Sequence, residues 1–178
     1  KLPIGQGTAA MGAVFQQINT ALGPADNPTQ KGLAFQDVMM NLTGGPRPFF
    51  QQGIEQQYIV NFGLLLLDPN RQSLPGKAAT NVGVVYHIDP GFGITDAELN
   101  AGVERLTADA SARAKADAAP TTGRITKPLL TIHGTGDLFV PISMEQDYAQ
   151  KVAAAGDSNL LVQRAIRSAG HCNFTGTE

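Results

Sequence analysis

The chain has 178 residues, 42% of them apolar, and a formal net charge of −2 at pH 7. This length predicts one domain with room for a subdomain, and interspersed charges without a basic stripe argue against a nucleic-acid partner. The longest apolar stretch, YIVNFGLLLL, is too short and too interrupted to span a membrane.

The first 122 residues are predicted to be mainly helical. Apolar residues recur at helical spacing from Met11 to Leu22, and a second short helix is expected over residues 33–42. The stretch TGGPRP then breaks the chain, and a longer apolar helix is predicted over residues 47–67.

Two more segments complete this part of the chain. Residues 68–83 are predicted from their composition to be a loop. Residues 93–117 are predicted to be a helix that begins with a capping box between Thr95 and Glu98. The Ala-rich stretch 109–123 is expected to be the end of that helix and a linker.

From residue 123 onward the hydrophobic pattern changes. KPLLTIH is a short apolar run that is typical of a buried parallel strand, and NLLVQRAIRSAGH predicts a second strand. Pro141 opens a helix between them, in which Ser143 and Gln146 are expected to form a capping box and Gly156 to end the helix. Strand, helix and strand make one crossover unit of a parallel sheet, expected to be right-handed.

A polar residue follows each predicted strand. HGTGDLFVP places Asp137 in the turn after the first strand, and SAGHCNF places His171 in the turn after the second. A buried carboxylate that accepts from the Nδ1–H of a histidine fixes its tautomer and stabilises the imidazolium formed in acyl transfer. Asp137 and His171 are therefore predicted to be the acid and base of a hydrolytic triad. Taken singly, each is equally consistent with a turn-forming aspartate or a loop histidine.

The motif GTGDLFVP, with the later Gly-His pair, resembles the C-terminal part of the α/β-hydrolase family over about residues 127–178. The resemblance implies the chain order nucleophile, acid, histidine, and a serine hydrolase that cleaves carboxylic esters. It also implies an α/β fold in which residues 123–178 are the late strands and helices of a partial hydrolase core. Residues 1–122 would then be a mainly helical cap subdomain.

The nucleophile is not found in the sequence. The family's Gly-x-Ser-x-Gly elbow is absent, and no serine before Asp137 is placed on a strand-to-helix turn. Two strands do not make a stable buried parallel sheet alone. We therefore expect the N-terminal half of the hydrolase, with the nucleophile, to be the partner of this chain, and the isolated chain to be inactive.

The single cysteine, Cys172, excludes an internal disulfide framework. The GHC triplet, with DYAQKV after the acid, is similar to tannases and fungal-type feruloyl esterases, and this resemblance implies a bond to a cysteine beside the nucleophile. A small buried cysteine is equally consistent with the sequence. Because Cys172 directly follows His171, its side chain is expected to point elsewhere and to be a poor partner for the histidine.

Apolar and aromatic side chains are expected to contact an apolar or aromatic part of a small ester substrate. The residues predicted for this role are Phe49, Phe50, Tyr58, Phe62 and Phe139. The stretch GQGTAA fits a dinucleotide fingerprint, but only four residues precede it, and His87 with His133 makes no metal spacing. No cofactor and no metal are predicted.

Three further expectations concern location and alternative functions. Charged residues make up only 16% of the chain, a composition that favours a secreted or periplasmic protein. A serine peptidase or amidase of the same fold is an alternative, since the same triad cleaves amides. The other alternative is a non-catalytic binding or interaction protein that keeps Asp137 and His171 by descent.

Overall fold

The computed structural model describes residues 12–13, 16–56, 77–118 and 120–175. The chain divides into two compact units, and the described residues of the first fall within 1–38 and 63–120. Those of the second fall within 39–62 and 121–178. The described residues 39–56 thus group with the C-terminal unit. The assignment of residues 1–122 to a cap stays a prediction.

The described residues are mixed α/β, with helices and a small parallel sheet. The helices and strands are α1 (Gln30–Leu42), α2 (Asp96–Gly102), α3 (Ala110–Ala116), β1 (Leu129–Gly134), α4 (Ser143–Ala155) and β2 (Leu161–Ile166). Residues 16–22 and 50–56 are also helical, so the helices predicted over 11–22 and 47–67 are confirmed only in those parts. Residues 47–49 are described and are not helical, so the predicted start of the second helix at residue 47 is wrong. Residues 12–13 are helical, and the rest of both predictions lies outside the described ranges. Across the described ranges, no helix has the length and apolarity needed to cross a membrane.

The predicted capping box at the start of α2 is confirmed. The Thr95 hydroxyl accepts from the Glu98 N–H, and the Glu98 carboxylate accepts from the Thr95 N–H. The single helix predicted over 93–117 is wrong, because residues 103–109 between α2 and α3 are not helical. The side chain of Asn81 accepts from the Leu106 N–H at 2.6 Å, and the Asn81 N–H donates to the Leu106 carbonyl at 3.2 Å. This loop therefore takes the backbone hydrogen bonds that a continuous helix would use.

The second unit contains the predicted strand–helix–strand arrangement. β1 and β2 pair in parallel over six residues each, and α4 between them ends at Gly156, whose φ of 85° is the left-handed conformation expected of a helix-ending glycine. Pairing continues past the strands, since Thr135 N–H donates to the Ile166 carbonyl and Gly136 N–H donates to the Ser168 carbonyl, both at 2.9 Å. These bonds bring the turn after β1 beside the turn after β2.

The capping box predicted for Ser143 and Gln146 is wrong. The residue before α4, Ile142, already has helical φ and ψ, so Ser143 lies inside the first turn and caps nothing. The Ser143 N–H instead donates to the Thr43 carbonyl, and the Gln146 side chain donates to the Gly44 carbonyl, both at 3.2 Å. These hydrogen bonds thus join the first turn of α4 to residues 43–44.

Candidate active site

The structure brings together the side chains of Asp137 and His171. Nδ1 of His171 lies 2.8 Å from Oδ2 of Asp137, which confirms the predicted contact. The Asp137 side chain is 5% exposed and that of His171 is 41% exposed. With Nδ1–H donating to a buried carboxylate, Nε2 is left as the ring nitrogen that can accept a proton.

The second oxygen of the Asp137 carboxylate is held by its own turn. Oδ1 accepts from the N–H groups of Phe139 at 2.8 Å and Val140 at 3.1 Å. An aspartate side chain often stabilises a turn in this way. Here both functions coexist, because one oxygen fixes the turn and the other faces the histidine. The carboxylate is therefore oriented by backbone donors before any ligand arrives.

A second His–Asp pair in the first unit provides a useful contrast. Nδ1 of His87 lies 2.7 Å from Oδ2 of Asp96, but these side chains are 62% and 46% exposed. The hydrogen bond from the Ile88 N–H, followed by the side-chain hydrogen bond from the His87 ring, lowers the pKa of Asp96. Exposed pairs of this kind contribute little because water competes for both groups. Among the described residues, no group of three or more His, Cys, Asp or Glu side chains could hold a metal ion.

Phe139 is the predicted substrate-contacting residue that lies against the histidine. Its ring centroid is 4.8 Å from that of His171, with the planes tilted by 51°, and the residue is 48% exposed. It therefore offers an accessible apolar surface beside the imidazole. Tyr58 and Phe62, predicted for the same role, lie outside the described residues.

Phe49 and Phe50, the two phenylalanines within the described residues 39–56, are placed differently. Phe50 is 8% exposed, and the guanidinium of Arg47 lies 4.9 Å above its ring, so this ring belongs to the interior of the unit. Phe49 is half-buried, with the guanidinium of Arg167 at 5.6 Å. Its φ is 64°, a rare conformation for a residue with a side chain. Neither is shown in contact with His171, and their role toward a substrate stays a prediction.

Arg47 is a supporting residue that the sequence did not indicate. Its Nε donates to the Thr135 carbonyl at 2.6 Å, Nη1 to the Gly45 carbonyl at 2.9 Å, and Nη2 to the Thr43 hydroxyl at 2.9 Å. Partial burial lowers the pKa of Arg47. Its partner Thr135 is 88 positions away in sequence. The sequence around Arg47, an arginine between two prolines, therefore does not indicate this contact. Through Thr135, Arg47 restrains the turn that carries Asp137.

Two glycines allow the helical residues 50–56 to approach the same turn. A Cβ on Gly53 would clash with the Gly136 carbonyl oxygen, and a Cβ on Gly136 would clash with the Phe49 carbonyl oxygen. Both positions are buried. Backbone therefore packs on backbone at the turn before Asp137, and only glycine fits at these positions.

Cys172 lies on the other side of the histidine ring from the aspartate. Its Sγ is 3.7 Å from Nε2 of His171, and the cysteine is exposed. The expectation that this side chain points elsewhere and the alternative of a buried cysteine are both wrong. Cys172 has a φ of 51°, so the chain turns at this residue and the two neighbouring side chains are not directed apart as in an extended strand.

The chain is similar to the o-phthalyl amidase of Xanthobacter agilis, with 35% identity over 51 residues. The match covers 29% of this chain and 11% of the amidase, so the chain spans about a tenth of that protein's length. No protein-family model and no solved structure matches the chain.

Proposed function

We propose that this chain supplies the acid and the base of a serine hydrolase of the α/β-hydrolase family that cleaves carboxylic esters. The observation that carries the proposal is the hydrogen bond between buried Asp137 and half-exposed His171. The two residues stand in the turns that follow adjacent parallel strands. Catalytic groups in α/β proteins are commonly placed at this edge of a sheet. The partial similarity to an amidase supports the broader class of hydrolase.

In the proposed mechanism His171 accepts a proton at Nε2 and later donates it. The nucleophile's hydroxyl gives its proton to Nε2 as its oxygen attacks the carbonyl carbon of the substrate. Asp137 holds Nδ1–H and stabilises the imidazolium that this transfer creates. The same proton then passes from Nε2 to the leaving alcohol. Phe139, beside the ring, offers a surface for an apolar or aromatic group of the ester.

We infer that the nucleophile lies in a longer protein to which this chain belongs. The 178-residue sequence has no Gly-x-Ser-x-Gly elbow. One face of the β1–β2 sheet also remains open, with Leu130, Ile132 and Val162 exposed by 57%, 38% and 43%. These residues share a face because strand side chains alternate and Leu130 pairs with Val162. Further core of the hydrolase, packed on this face, would bury them.

Amide hydrolysis is the second candidate function, and the similarity to o-phthalyl amidase favours it. The same acid and base serve both reactions, since a Ser-His-Asp triad cleaves amides as well as esters. The difference lies in protonation of the leaving group. An amine requires a proton from His171 Nε2 before it can depart, whereas an activated phenol leaves without one.

The test begins with the reading frame upstream of this chain. A Gly-x-Ser-x-Gly sequence within about 150 preceding residues would supply the missing nucleophile. The longer protein should then hydrolyse p-nitrophenyl esters, p-nitroanilides or both, and the ratio of the two rates separates esterase from amidase. His171→Ala should abolish the reaction and His87→Ala should not. Absence of both activities in a folded longer protein would favour the non-catalytic alternative.

A further inference from the structure

Asp137, His171 and Cys172 form a continuous array within this one chain. The Asp137 carboxylate is 2.8 Å from Nδ1, and the Cys172 sulfur is 3.7 Å from Nε2 of the same ring. We propose that Cys172 is a nucleophile that accepts an acyl group from activated aryl esters, with His171 as its base. This function rests on the same acid and base as the proposed hydrolase but not on a serine outside the chain.

The chain contains a nucleophile, a base and a group that orients the base: Cys172, His171 and Asp137. A nucleophile requires a base within reach, and the base requires a third group that orients it. Cys172 lies beside the one ring nitrogen that Asp137 leaves open. A separation of 3.7 Å suits sulfur, which forms longer and weaker hydrogen bonds than oxygen. Since Cys172 is exposed, a small electrophile can reach the sulfur.

The acylation step needs only the thiol of Cys172, the imidazole of His171 and the ester. The thiol proton moves to Nε2 of His171, and a sulfur lone pair forms a bond to the carbonyl carbon of the ester. The bond between that carbon and the aryl oxygen breaks, and the phenoxide leaves with the bonding electrons. The imidazolium then returns its proton to the phenoxide or to water. The products are a thioester at Cys172, one phenol or phenolate, and neutral His171.

The reaction requires no oxidant, metal or second protein. Thiolate is a strong nucleophile toward an ester whose leaving group is already stable as a phenolate. A serine hydroxyl in the same position would be a weak nucleophile without further support. The isolated chain is therefore expected to release phenol in an initial burst of about one equivalent, in contrast to the repeated turnover expected of the longer protein.

The experiment uses the 178-residue chain and p-nitrophenyl acetate. Release of p-nitrophenol is followed by absorbance, and the acetylated peptide is identified by mass spectrometry. The expected result is one acetyl group on Cys172 and no burst with Cys172→Ser. His171→Ala should slow the acetylation on the order of tenfold or more, since it removes the base that takes the thiol proton during attack. His87→Ala, which removes the other His–Asp pair, should leave the rate unchanged.

Two results would overturn the inference. One is acetylation of Cys172 at the same rate in the intact chain and in a folded His171→Ala chain. The other is acetylation of a different residue while Cys172 stays free. His171→Gln and Asp137→Asn provide further variants, checked by circular dichroism, if the alanine variant unfolds. The proposed serine hydrolase is judged separately, because the longer protein with Cys172→Ser should retain turnover and with His171→Ala should lose it.

Discussion

The Nε of Arg47 lies 2.6 Å from the carbonyl oxygen of Thr135, two residues before the aspartate that holds His171. This bond joins residues 39–56 to the turn that carries the carboxylate. The same guanidinium bonds the Gly45 carbonyl and the Thr43 hydroxyl, so it closes the loop after α1 as well. The acid of the pair is thus supported by residues that lie about 90 positions away in sequence.

Replacing Arg47 with methionine should destabilise the second unit. The change leaves the Thr135 carbonyl, in the turn that carries Asp137, without its charged donor. Hydrogen bonds to charged groups contribute about 1.5–3 kcal/mol each. We expect a loss of about 2–3 kcal/mol in the free energy of urea unfolding. The control is Arg113→Met, which removes an exposed pair with Asp117 and should cost less than about 1 kcal/mol. Equal losses of unfolding free energy in the two variants would show that the Arg47 hydrogen bonds contribute no more than an exposed ion pair.

Gly53→Ala should disturb the packing of residues 50–56 against the turn that carries Asp137. An added Cβ would meet the Gly136 carbonyl oxygen, and overpacking of a buried contact costs about 1–3 kcal/mol or more. The matched control is Gly102→Ala, where a Cβ meets no atom within 4 Å. Because alanine favours helix over glycine, the control should be neutral or stabilising by up to about 1 kcal/mol. Thermal unfolding of both variants measures the difference.

Asp137→Asn should remove catalysis while keeping the shape of the turn. The asparagine amide can donate to Nδ1, which would leave the proton on Nε2 and prevent that nitrogen from acting as a base. In the longer protein we expect a fall in kcat on the order of 10³ or more, by analogy with other triads. Asp96→Asn, in the exposed pair, should leave kcat unchanged. Retention of more than a tenth of the activity in Asp137→Asn would exclude a triad role.

Acid should weaken the start of α2 through Asp96 and Glu98. Hydrogen bonds from the Ile88 N–H and then His87 lower the pKa of Asp96 below its ordinary 3.8. The Thr95 N–H and hydroxyl lower the pKa of Glu98 below 4.5. Since the folded pKa values lie below the unfolded ones, the stabilisation is fully present above about pH 4.5 and is lost as the pH falls through the folded values.

The check for this pH dependence is urea unfolding at pH 7 and pH 3. Glu98→Gln should reduce the stability difference between these two pH values, because a group that no longer titrates cannot contribute to it. Glu104→Gln, a change at an exposed residue after α2, serves as the control. An unchanged pH dependence in Glu98→Gln would contradict the assignment to the capping box.

The parts of the fold that local sequence determines were predicted. The capping box at Thr95, the glycine end of α4 and the two strands each depend on residues close together in the chain. The contact between Asp137 and His171 was predictable because both follow parallel strands, whose ends meet at one edge.

The features that could not be predicted from the sequence depend on residues far apart in the chain or on an unusual backbone conformation. In the break after α2, the Leu106 N–H donates to the side chain of Asn81, more than 20 positions earlier. Arg47 acts through Thr135, and no periodic pattern marks that pair. Cys172 meets the histidine through a left-handed φ that the residue type does not favour. Such contacts follow from tertiary structure and not from local propensity.

The most direct test of the central claim is covalent labelling of the longer protein with an alkyl fluorophosphonate. This reagent captures a serine that a histidine has activated, and mass spectrometry then identifies the labelled residue. We predict a label on a serine in a Gly-x-Ser-x-Gly sequence outside this chain, retained with His87→Ala and with Cys172→Ser and lost with His171→Ala. A label of equal extent in folded His171→Ala protein, or none in the intact protein, would contradict the assignment of Asp137 and His171 as the acid and base of a serine hydrolase.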